Sequence, residues 1–405
     1  MSSATPLRQA LTRDAWARMA EGSAPPLLGL WADTREVYAL LRDGDAPLLV
    51  STEVEDGLYP ALSPSRPAAA WFERMVRDLW GHTAIGGSDQ RPLLDHGRWP
   101  RSAPLSVRPG PPGPAETPEF ASAPDLDQLP LGPVRGGIAP AAHLRLGVSG
   151  ETIVRLEARL GYTHKGILSL MRGKSPRAAA RFAARLVGEA TVAHSIALAR
   201  AAEAALGCAI PPRAAALRAV MAELERMAGV LEGIAATAEA VGRDWLAARA
   251  ASQTETIRRA AQVAFGHRLM MDCVIPGGVA ADIAPAGSEA LGHALRLIAA
   301  EPSACVAAIE DGIGRTRALL DGLSEGPVAM PLPMESGEGV GHADGPHGEI
   351  WHWLKLDHGQ IASAFLLDPA WTRWAALETA APGSQIEDLP RIMAELALSS
   401  SGLDL

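Results

Sequence analysis

The first hundred residues combine short runs of strand character with one helical stretch. Three runs are apolar, or alternate between apolar and polar side chains as β-strands do: 27–32, 36–41 and 47–54. Residues 68–80 instead carry apolar side chains at helical spacing, with charged side chains elsewhere on the helix. Together with a short helix predicted at 7–19, this pattern indicates a small α+β domain over residues 1–100.

The middle of the chain has the spacing of long helices. A β-hairpin is predicted first, over 143–157. Ser175 and Pro176 then have the residue types of a helix start. Gly207 has that of a helix end, so one helix is expected over 176–206. Further helices are predicted at 212–235, 236–249, 254–272, 286–300 and 304–323.

The last sixty residues return to strand character. Two alternating runs, at 348–356 and 360–367, predict a second hairpin. Short helices are predicted after it, at 371–378 and 389–398. The stretch 324–346 is rich in Gly, Pro and Glu and is predicted to be a loop.

A stretch rich in proline and glycine separates the N-terminal pattern from the rest. The run from Pro109 to Pro114 reads Pro-Gly-Pro-Pro-Gly-Pro, which favours stiff, extended and solvated chain. We interpret residues 101–130 as a linker between domains at 1–100 and 131–405. The predicted fold class is α+β, with a small N-terminal α+β domain followed by a mainly helical domain that has small β-sheets at its two ends.

Charge and cysteine content narrow the functional classes. The 405 residues carry a net charge of −9 without a run of Lys or Arg, so no nucleic-acid partner is expected. Cys208, Cys273 and Cys305 form no CxxC pair, which argues against a thiolate-bound cluster. Their odd number and the lack of a signal-peptide pattern indicate a reducing cytoplasm. No stretch of about 18 uncharged apolar residues predicts a membrane span.

A glycine-flanked turn carries the candidate catalytic residues. The run from Gly161 to Gly166 reads Gly-Tyr-Thr-His-Lys-Gly, and its two glycines allow the backbone to turn tightly. The turn holds His164 and Lys165 beside the predicted long helix. Taken alone, such a run also fits a solvated turn with a capping lysine.

The other histidines have structural explanations. His194 lies on the apolar side of an Ala-rich helix and is interpreted as a core histidine with satisfied hydrogen bonds. His347, His352 and His358 lie near Asp357, but their spacing across a strand and a turn is not that of a metal site. No metal is therefore predicted.

Five segments, in chain order, resemble the large subunits of energy-converting hydrogenases and the related quinone-site large subunit of respiratory complex I. They are 132–134, 160–166, 207–226, 266–279 and 348–349. Residues 30–100 resemble the small partner subunit of complex I, whose helix-end motif matches 73–81. The order of the two parts is that of the fusions of the hydrogenase-4 and formate-hydrogenlyase type, and the resemblance covers nearly the whole chain.

This resemblance implies a subunit of a membrane-associated oxidoreductase that couples electron transfer to ion translocation. It implies an iron–sulfur small subunit, a ferredoxin-like subunit and membrane antiporter-like subunits as partners. The chain would bind no cofactor itself, the iron–sulfur cluster would lie in a partner, and quinone is a weaker candidate. It would sit on the cytoplasmic face of the cell membrane, peripherally. His164 and Lys165 would line a proton route or face the iron–sulfur partner, or else tie the hairpin to the helix.

The sequence departs from this family at the metal-ligand positions. Nickel–iron large subunits hold their metals with four thiolates from two CxxC pairs, because soft sulfur ligands suit these ions. The matching positions here are Val187, Ala190, Ser399 and Gly402. Leu168 stands where a proton-donating Glu often follows the turn motif. The resemblance therefore implies a large subunit without a nickel–iron site.

The positions that contact quinone in complex I also differ. There, a His of the loop that opens the domain and a Tyr of the first long helix hydrogen-bond the quinone carbonyls. Ala139 and Gly188 stand at the corresponding positions. We expect an emptier and more apolar cavity at this place.

Three functions remain open from the sequence. The first is the core subunit of a complex I or hydrogenase-4 type oxidoreductase, related to NADH dehydrogenases. The second is a non-catalytic docking subunit that holds an iron–sulfur partner against the membrane arm. The third is a stand-alone enzyme with a new pocket.

Overall fold

The structure, a computed structural model, describes residues 8–20, 25–44, 46–115, 117, 120, 124–134, 141–300 and 306–405. Contacts in space divide the chain into two compact units. Among the described residues, the sheet unit comprises those from Arg8 to Ser169, Ala370–Ile386 and Leu403–Leu405, and the helical unit comprises those of Leu170–Pro369 and Glu387–Gly402. The domain limits inferred from the sequence, with their linker at 101–130, cut the chain elsewhere and stay a prediction.

The sheet unit begins with a four-stranded sheet of order β1-β4-β3-β2. Its strands are β1 (Gln9–Leu11), β2 (Leu27–Ala32), β3 (Glu36–Asp43) and β4 (Ala46–Glu53). The three strands predicted here are confirmed. The helix predicted over 7–19 is wrong in its first half, since β1 pairs parallel with β4 before helix α1 (Arg13–Ala20) begins.

Helix α2 (Ala69–Trp80) confirms the helix predicted at 68–80, and its charged side is buried as well as its apolar side. Glu73 accepts the backbone N–H of Leu62 at 2.6 Å. Asp78 accepts that of Leu93 at 2.8 Å. A buried carboxylate requires such donors, and these bonds hold the loops before and after α2 against the helix.

Short strands complete the sheet unit up to the candidate turn. They are β5 (Leu58–Pro60), β6 (Thr83–Ile85), β7 (Asp127–Leu131), β8 (His143–Ser149) and β9 (Thr152–Arg159). The last three form an antiparallel sheet of order β7-β8-β9, which confirms the predicted hairpin. The chain then passes through the short helix α3 (Ile167–Met171) into the helical unit.

The described part of the helical unit consists of helices and two antiparallel sheets, one of three strands and one of two. Its helices are α4 (Pro176–Ala183), α5 (Thr191–Ala205), α6 (Pro212–Ala240), α7 (Asp244–Phe265), α8 (Gly287–Ala300) and α9 (Val306–Asp321). Its strands are β10 (Val274–Ile275), β11 (Gly278–Val279), β12 (Gly337–Gly345), β13 (Gly348–Asp357) and β14 (Gln360–Leu367). Two helices follow near the C-terminus: α10 (Ala370–Ala380) in the sheet unit and α11 (Leu389–Glu395) in the helical unit.

The single helix predicted over 176–206 is wrong, because two helices, α4 and α5, occupy this stretch. Ser175 caps α4 as predicted, its hydroxyl accepting a backbone N–H of the first turn. At the start of α5, Glu225 accepts the N–H groups of Val192 at 2.6 Å and of Ala193 at 2.8 Å. The first N–H groups of a helix need such acceptors, and a cap from 33 residues away leaves no local sequence signal.

The helix limits predicted after residue 212 also need correction. Helix α6 continues through the predicted boundary at 235 to Ala240, and Gly242 then turns the chain with φ 69°. Helix α7 ends at Phe265 rather than at 272, because Gly266 adopts the left-handed C-cap conformation.

The loop predicted over 324–346 is wrong in its second half, where strand β12 lies. A Cβ atom at Gly337, Gly339 or Gly341 would lie under 3.0 Å from backbone atoms of α5. Glycine therefore lets this strand lie directly on the helix backbone. Glycine is depleted in strands and has no apolar side chain, so glycines at every second position remove the apolar–polar alternation that would have predicted this strand.

We expect Gly339→Ala to lower the free energy of unfolding by about 3 kcal/mol or to prevent folding, because overpacking here meets backbone that cannot rotate away. Gly314→Ala on α9 is the matched control, since its Cβ meets nothing within 4 Å. Urea denaturation of both variants measures the difference. Equal stability of the two would show that β12 does not lie against α5 in this way.

Candidate functional site

His164 faces the interior of the sheet unit. Its ring stacks on Trp99, with centroids 4.2 Å apart. Burial lowers its pKa to about 4, while Asp95 acts in the opposite direction, so the imidazole is neutral at physiological pH. Its buried Nδ1 has no hydrogen-bond partner among the described residues. The neutral ring therefore keeps one polar atom available in a sheltered position.

Lys165, in contrast, is exposed, so the turn separates the two predicted residues. The adjacent Thr163 donates its hydroxyl proton to Asp404, which lies 3.1 Å away in the same unit. Burial raises the pKa of Asp404 to about 6, and the charge of Lys165 partly offsets this. At Gly161 a Cβ atom would lie 2.5 Å from the carbonyl oxygen of Leu94, which explains the need for glycine.

The structure adds a pair beside the turn that the sequence analysis missed. His143 Nδ1 lies 3.3 Å from the hydroxyl of Tyr162. Burial and the charges of Arg145 and Arg159 lower the pKa of His143. Burial raises the pKa of Tyr162. The two rings come from β8 and from the turn, 19 residues apart, so only the hairpin geometry brings them together.

A cavity of about 380 Å³ opens in the helical unit. Its polar lining comprises Glu189 of a short 3-10 helix, Glu232 of α6, Thr254 and Arg258 of α7, and His347 and Ser399 of connecting segments. Alanine, methionine and leucine side chains supply most of the remaining wall. A few charged groups in an apolar hollow are typical of a binding or proton-transfer site.

Two glutamates of α6 connect this cavity with the start of α5. Glu232 forms an ion pair with Arg258. Burial raises the pKa of Glu232; the charge of Arg258 lowers it, and the charge of Glu189 raises it further. Glu225, seven residues earlier on the same helix face, is buried, and burial raises its pKa to about 8 despite two backbone hydrogen bonds. A second hollow of about 20 Å³, large enough for one water, is lined by all three glutamates.

A chain of three buried polar side chains crosses the core of the helical unit. His194 Nε2 lies 3.0 Å from Asp368 Oδ2, and His194 Nδ1 lies 3.0 Å from His352 Nε2. A carboxylate only accepts, so Nε2 of His194 donates to Asp368. The prediction that His194 is a core histidine with satisfied hydrogen bonds is confirmed.

His352 ends this chain. Its side chain is 0% exposed. Burial lowers its pKa well below the usual value, and the nearby His194 adds a smaller effect in the same direction. Its Nδ1 atom has no hydrogen-bond partner among the described residues. His347 lines the cavity and His358 is exposed, so the three histidines considered from the sequence occupy different environments.

Known proteins match a large part of this chain. Residues 165–231 match the nickel-dependent hydrogenase family. Hydrogenase-4 component G of Escherichia coli strain K12 is 32% identical over 236 residues, which make up 56% of this chain and 42% of that protein. An NADH-quinone oxidoreductase subunit of Opitutus terrae is 27% identical over 186 residues, 46% of this chain and 43% of that protein.

The chain is related to the nickel-dependent hydrogenases and to the large subunit of complex I. The resemblance inferred from the sequence is thereby confirmed, although the chain spans less than half the length of these curated relatives. A chain of the membrane-bound sulfane sulfur reductase, an archaeal respiratory membrane complex, has the same fold with a TM-score of 0.61. The match spans 71% of this chain and 100% of that chain, with 16% sequence identity. The predicted mixed fold, with a domain like that of hydrogenase large subunits, is confirmed.

The cavity adjoins positions that the resemblance inferred from the sequence aligns with metal ligands. Ser399, one of the four, lines it, and Glu189 lies between two others, Val187 and Ala190. The fourth, Gly402, lies against Asp368: a Cβ atom there would be under 3.0 Å from the Asp368 carboxylate. Asp368 thus fills the space from which a ligand side chain at 402 would project.

Of the two positions that the resemblance aligns with quinone contacts, the structure describes one. Gly188 opens a short 3-10 helix, and a Cβ atom there would meet nothing within 4 Å, so the space beside it is open. Ala139 lies outside the described residues. Among the described helices, none combines the length and the apolar character that a membrane crossing requires.

We expect Glu225→Gln to flatten the pH dependence of stability. Folded Glu225 holds its proton up to about pH 8, whereas the unfolded residue releases it near 4.5, the ordinary pKa of a glutamate side chain. The free energy of unfolding of the wild type therefore decreases as pH rises from 4.5 to 8. In Glu225→Gln this decrease should be smaller by at least about 1 kcal/mol. Urea denaturation between about pH 5 and 8 measures it, with the exposed Glu310→Gln as control. Parallel profiles for Glu225→Gln and wild type would contradict the raised pKa.

We expect His164→Ala to cost about 1 kcal/mol of stability through loss of the stacking on Trp99. His164→Phe keeps an aromatic ring and should restore stability. If the ring nitrogen takes part in function, both variants lose activity. Full activity of His164→Phe would show that His164 is only a stacking partner of Trp99.

Proposed function

We propose that the chain is the core large subunit of a membrane-associated oxidoreductase of the complex I and hydrogenase-4 kind, and that it works without a nickel–iron site. Its partners are an iron–sulfur small subunit, a ferredoxin-like subunit and antiporter-like membrane subunits, and electron transfer is coupled to ion translocation. The chain occupies the cytoplasmic face without entering the bilayer. Its relatives' names, a hydrogenase-4 component and a quinone oxidoreductase subunit, support this proposal.

The observation that carries the nickel-free part of the proposal is the contact between Asp368 and Gly402. A nickel–iron site needs a thiolate at position 402, but the carboxylate of Asp368 occupies that space and is held there by His194. The remaining ligand positions offer a hydroxyl and two apolar side chains. This donor set does not fit nickel and iron, and no step of the proposed activity involves them.

The two described cysteines do not replace the missing thiolates. Neither Cys208 nor Cys273 is among the residues that line the cavity. Burial raises the pKa of Cys208, and it raises that of Cys273 to about 11. Both are therefore protonated thiols at neutral pH, whereas metal binding requires the thiolate.

The cavity residues fit proton transfer. Burial raises the pKa of Glu225 to about 8, near neutral, where a carboxyl group both accepts and donates protons. Burial also raises the pKa of Glu232. Arg258 holds Glu232 in place, and His347 lies on the same cavity wall. We propose that Glu225 and Glu232 move protons between the core and this cavity while electrons pass through the complex.

A docking subunit without chemistry is the second candidate. It is favoured by the lack of polar side chains at Gly188 and Leu168, two positions where the family carries functional groups. The titratable groups of the cavity favour the first candidate over this one. Activity of the complex with an altered Glu232 separates the two.

The test isolates the complex from membranes through a tag on this chain. We expect an iron–sulfur protein to copurify, metal analysis to find iron without stoichiometric nickel, and Glu232→Gln to lower donor-dependent turnover several-fold at unchanged assembly. The exposed Glu310→Gln serves as control. One nickel per chain would refute the absence of the nickel–iron site.

Two further outcomes are informative. Unchanged turnover of an intact complex with Glu232→Gln would favour the docking role over proton transfer. Recovery of the chain alone, without an iron–sulfur protein and only in the soluble fraction, would refute membership in a complex.

A further inference from the structure

One face of the hairpin formed by β12 and β13 carries three side chains with metal-binding atoms. The antiparallel register places His342 opposite Trp351 and Asp344 opposite Glu349. Positions 342 and 344 point to the same face, since side chains alternate along a strand. His342, Asp344 and Glu349 thus meet on one side of a rigid two-stranded element.

The distances between these groups suit a single small cation. His342 Nε2 lies 3.6 Å from Asp344 Oδ1 and 3.8 Å from Glu349 Oε1. One ligand atom from each residue falls within 4.8 Å of the other two. Two ligands of a tetrahedral zinc ion lie about 3.4 Å apart, given bonds of roughly 2.0–2.2 Å. Small side-chain rotations would close the site.

The charges of the pair Asp344 and Glu349 also favour a cation. Carboxylates directly opposite each other on antiparallel strands repel and destabilise the pairing. The guanidinium of Arg200 donates to the backbone oxygen of His342 at 2.6 Å and interacts with the charge of Asp344. Asp344 is largely exposed, so a cation can approach the two carboxylates from solvent.

The histidine is held in a binding orientation. The ring of Trp351 lies 4.3 Å from the ring of His342, centroid to centroid. The Arg200 bond to the backbone of His342 fixes the strand at the same residue. Ligands on strands with supported side chains are more precisely placed than ligands on loops.

We propose that His342, Asp344 and Glu349 form a binding site for a divalent transition-metal ion, of which zinc is the best example. One imidazole nitrogen and two carboxylate oxygens suit zinc, whereas calcium and magnesium prefer oxygen alone. Because Asp344 is exposed, the remaining coordination positions can be filled by water or by a ligand from a partner subunit. The site is separate from the cavity, which these three residues do not line.

Titration of the full chain with Zn²⁺, followed by calorimetry and by a competing indicator dye, tests the proposal. We expect one zinc ion per chain in the micromolar range or tighter. His342→Ala and Asp344→Asn should each weaken binding at least about tenfold. His358→Ala is the matched control, because His358 also lies beside a carboxylate, 3.8 Å from Asp357, on the exposed turn of β13.

The result that overturns the proposal is zinc binding that is absent, or that is equally tight in wild type, His342→Ala and Asp344→Asn. Thermal denaturation with and without Zn²⁺ gives an independent readout. Zinc should raise the melting temperature of wild type and His358→Ala, and leave that of a folded His342→Ala unchanged. A rise in His342→Ala equal to that in wild type would place the ion elsewhere.

Discussion

The close approach of strand β12 to helix α5 is the constraint on which the helical unit depends. Two residues of a strand advance about 6.8 Å, and four residues of a helix advance about 6 Å. Glycines at every second strand position can therefore face alanines at every fourth helix position: Gly337, Gly339 and Gly341 lie against Ala205, Ala201 and Ala197. Matching periods bring the backbones together along the C-terminal half of α5, whose residues from Thr191 to Ala199 are all buried.

Local patterns predicted most of the elements correctly, and the failures share one cause. The hairpins and α2 follow from spacing within a few residues, so the sequence shows them directly. The break between α4 and α5 depends on Glu225, and strand β12 depends on the backbone of α5. Both are set by partners far away in the chain, which single-sequence periodicity does not contain.

The residues of the candidate site also divide into those that local sequence marks and those that only the fold brings together. His164 and Lys165 were accessible to sequence reasoning because the two flanking glycines mark the turn. The cavity and the chain from Asp368 through His194 to His352 join segments more than 150 residues apart, so only the fold reveals them. A weak signal existed for Glu232, which shares a helix face with Glu225 at a spacing of seven residues. Two acidic residues on the otherwise apolar side of an Ala-rich helix are therefore a useful signal in related chains.

The contact between Gly402 and Asp368 also constrains how this sequence can change over evolutionary time. Position 402 can gain a side chain only after residue 368 has become smaller or has moved away. A change at 368 first removes the acceptor of His194 in the core. The two positions are thus coupled: the cost of a side chain at 402 depends on which residue stands at 368 and on whether it still accepts from His194.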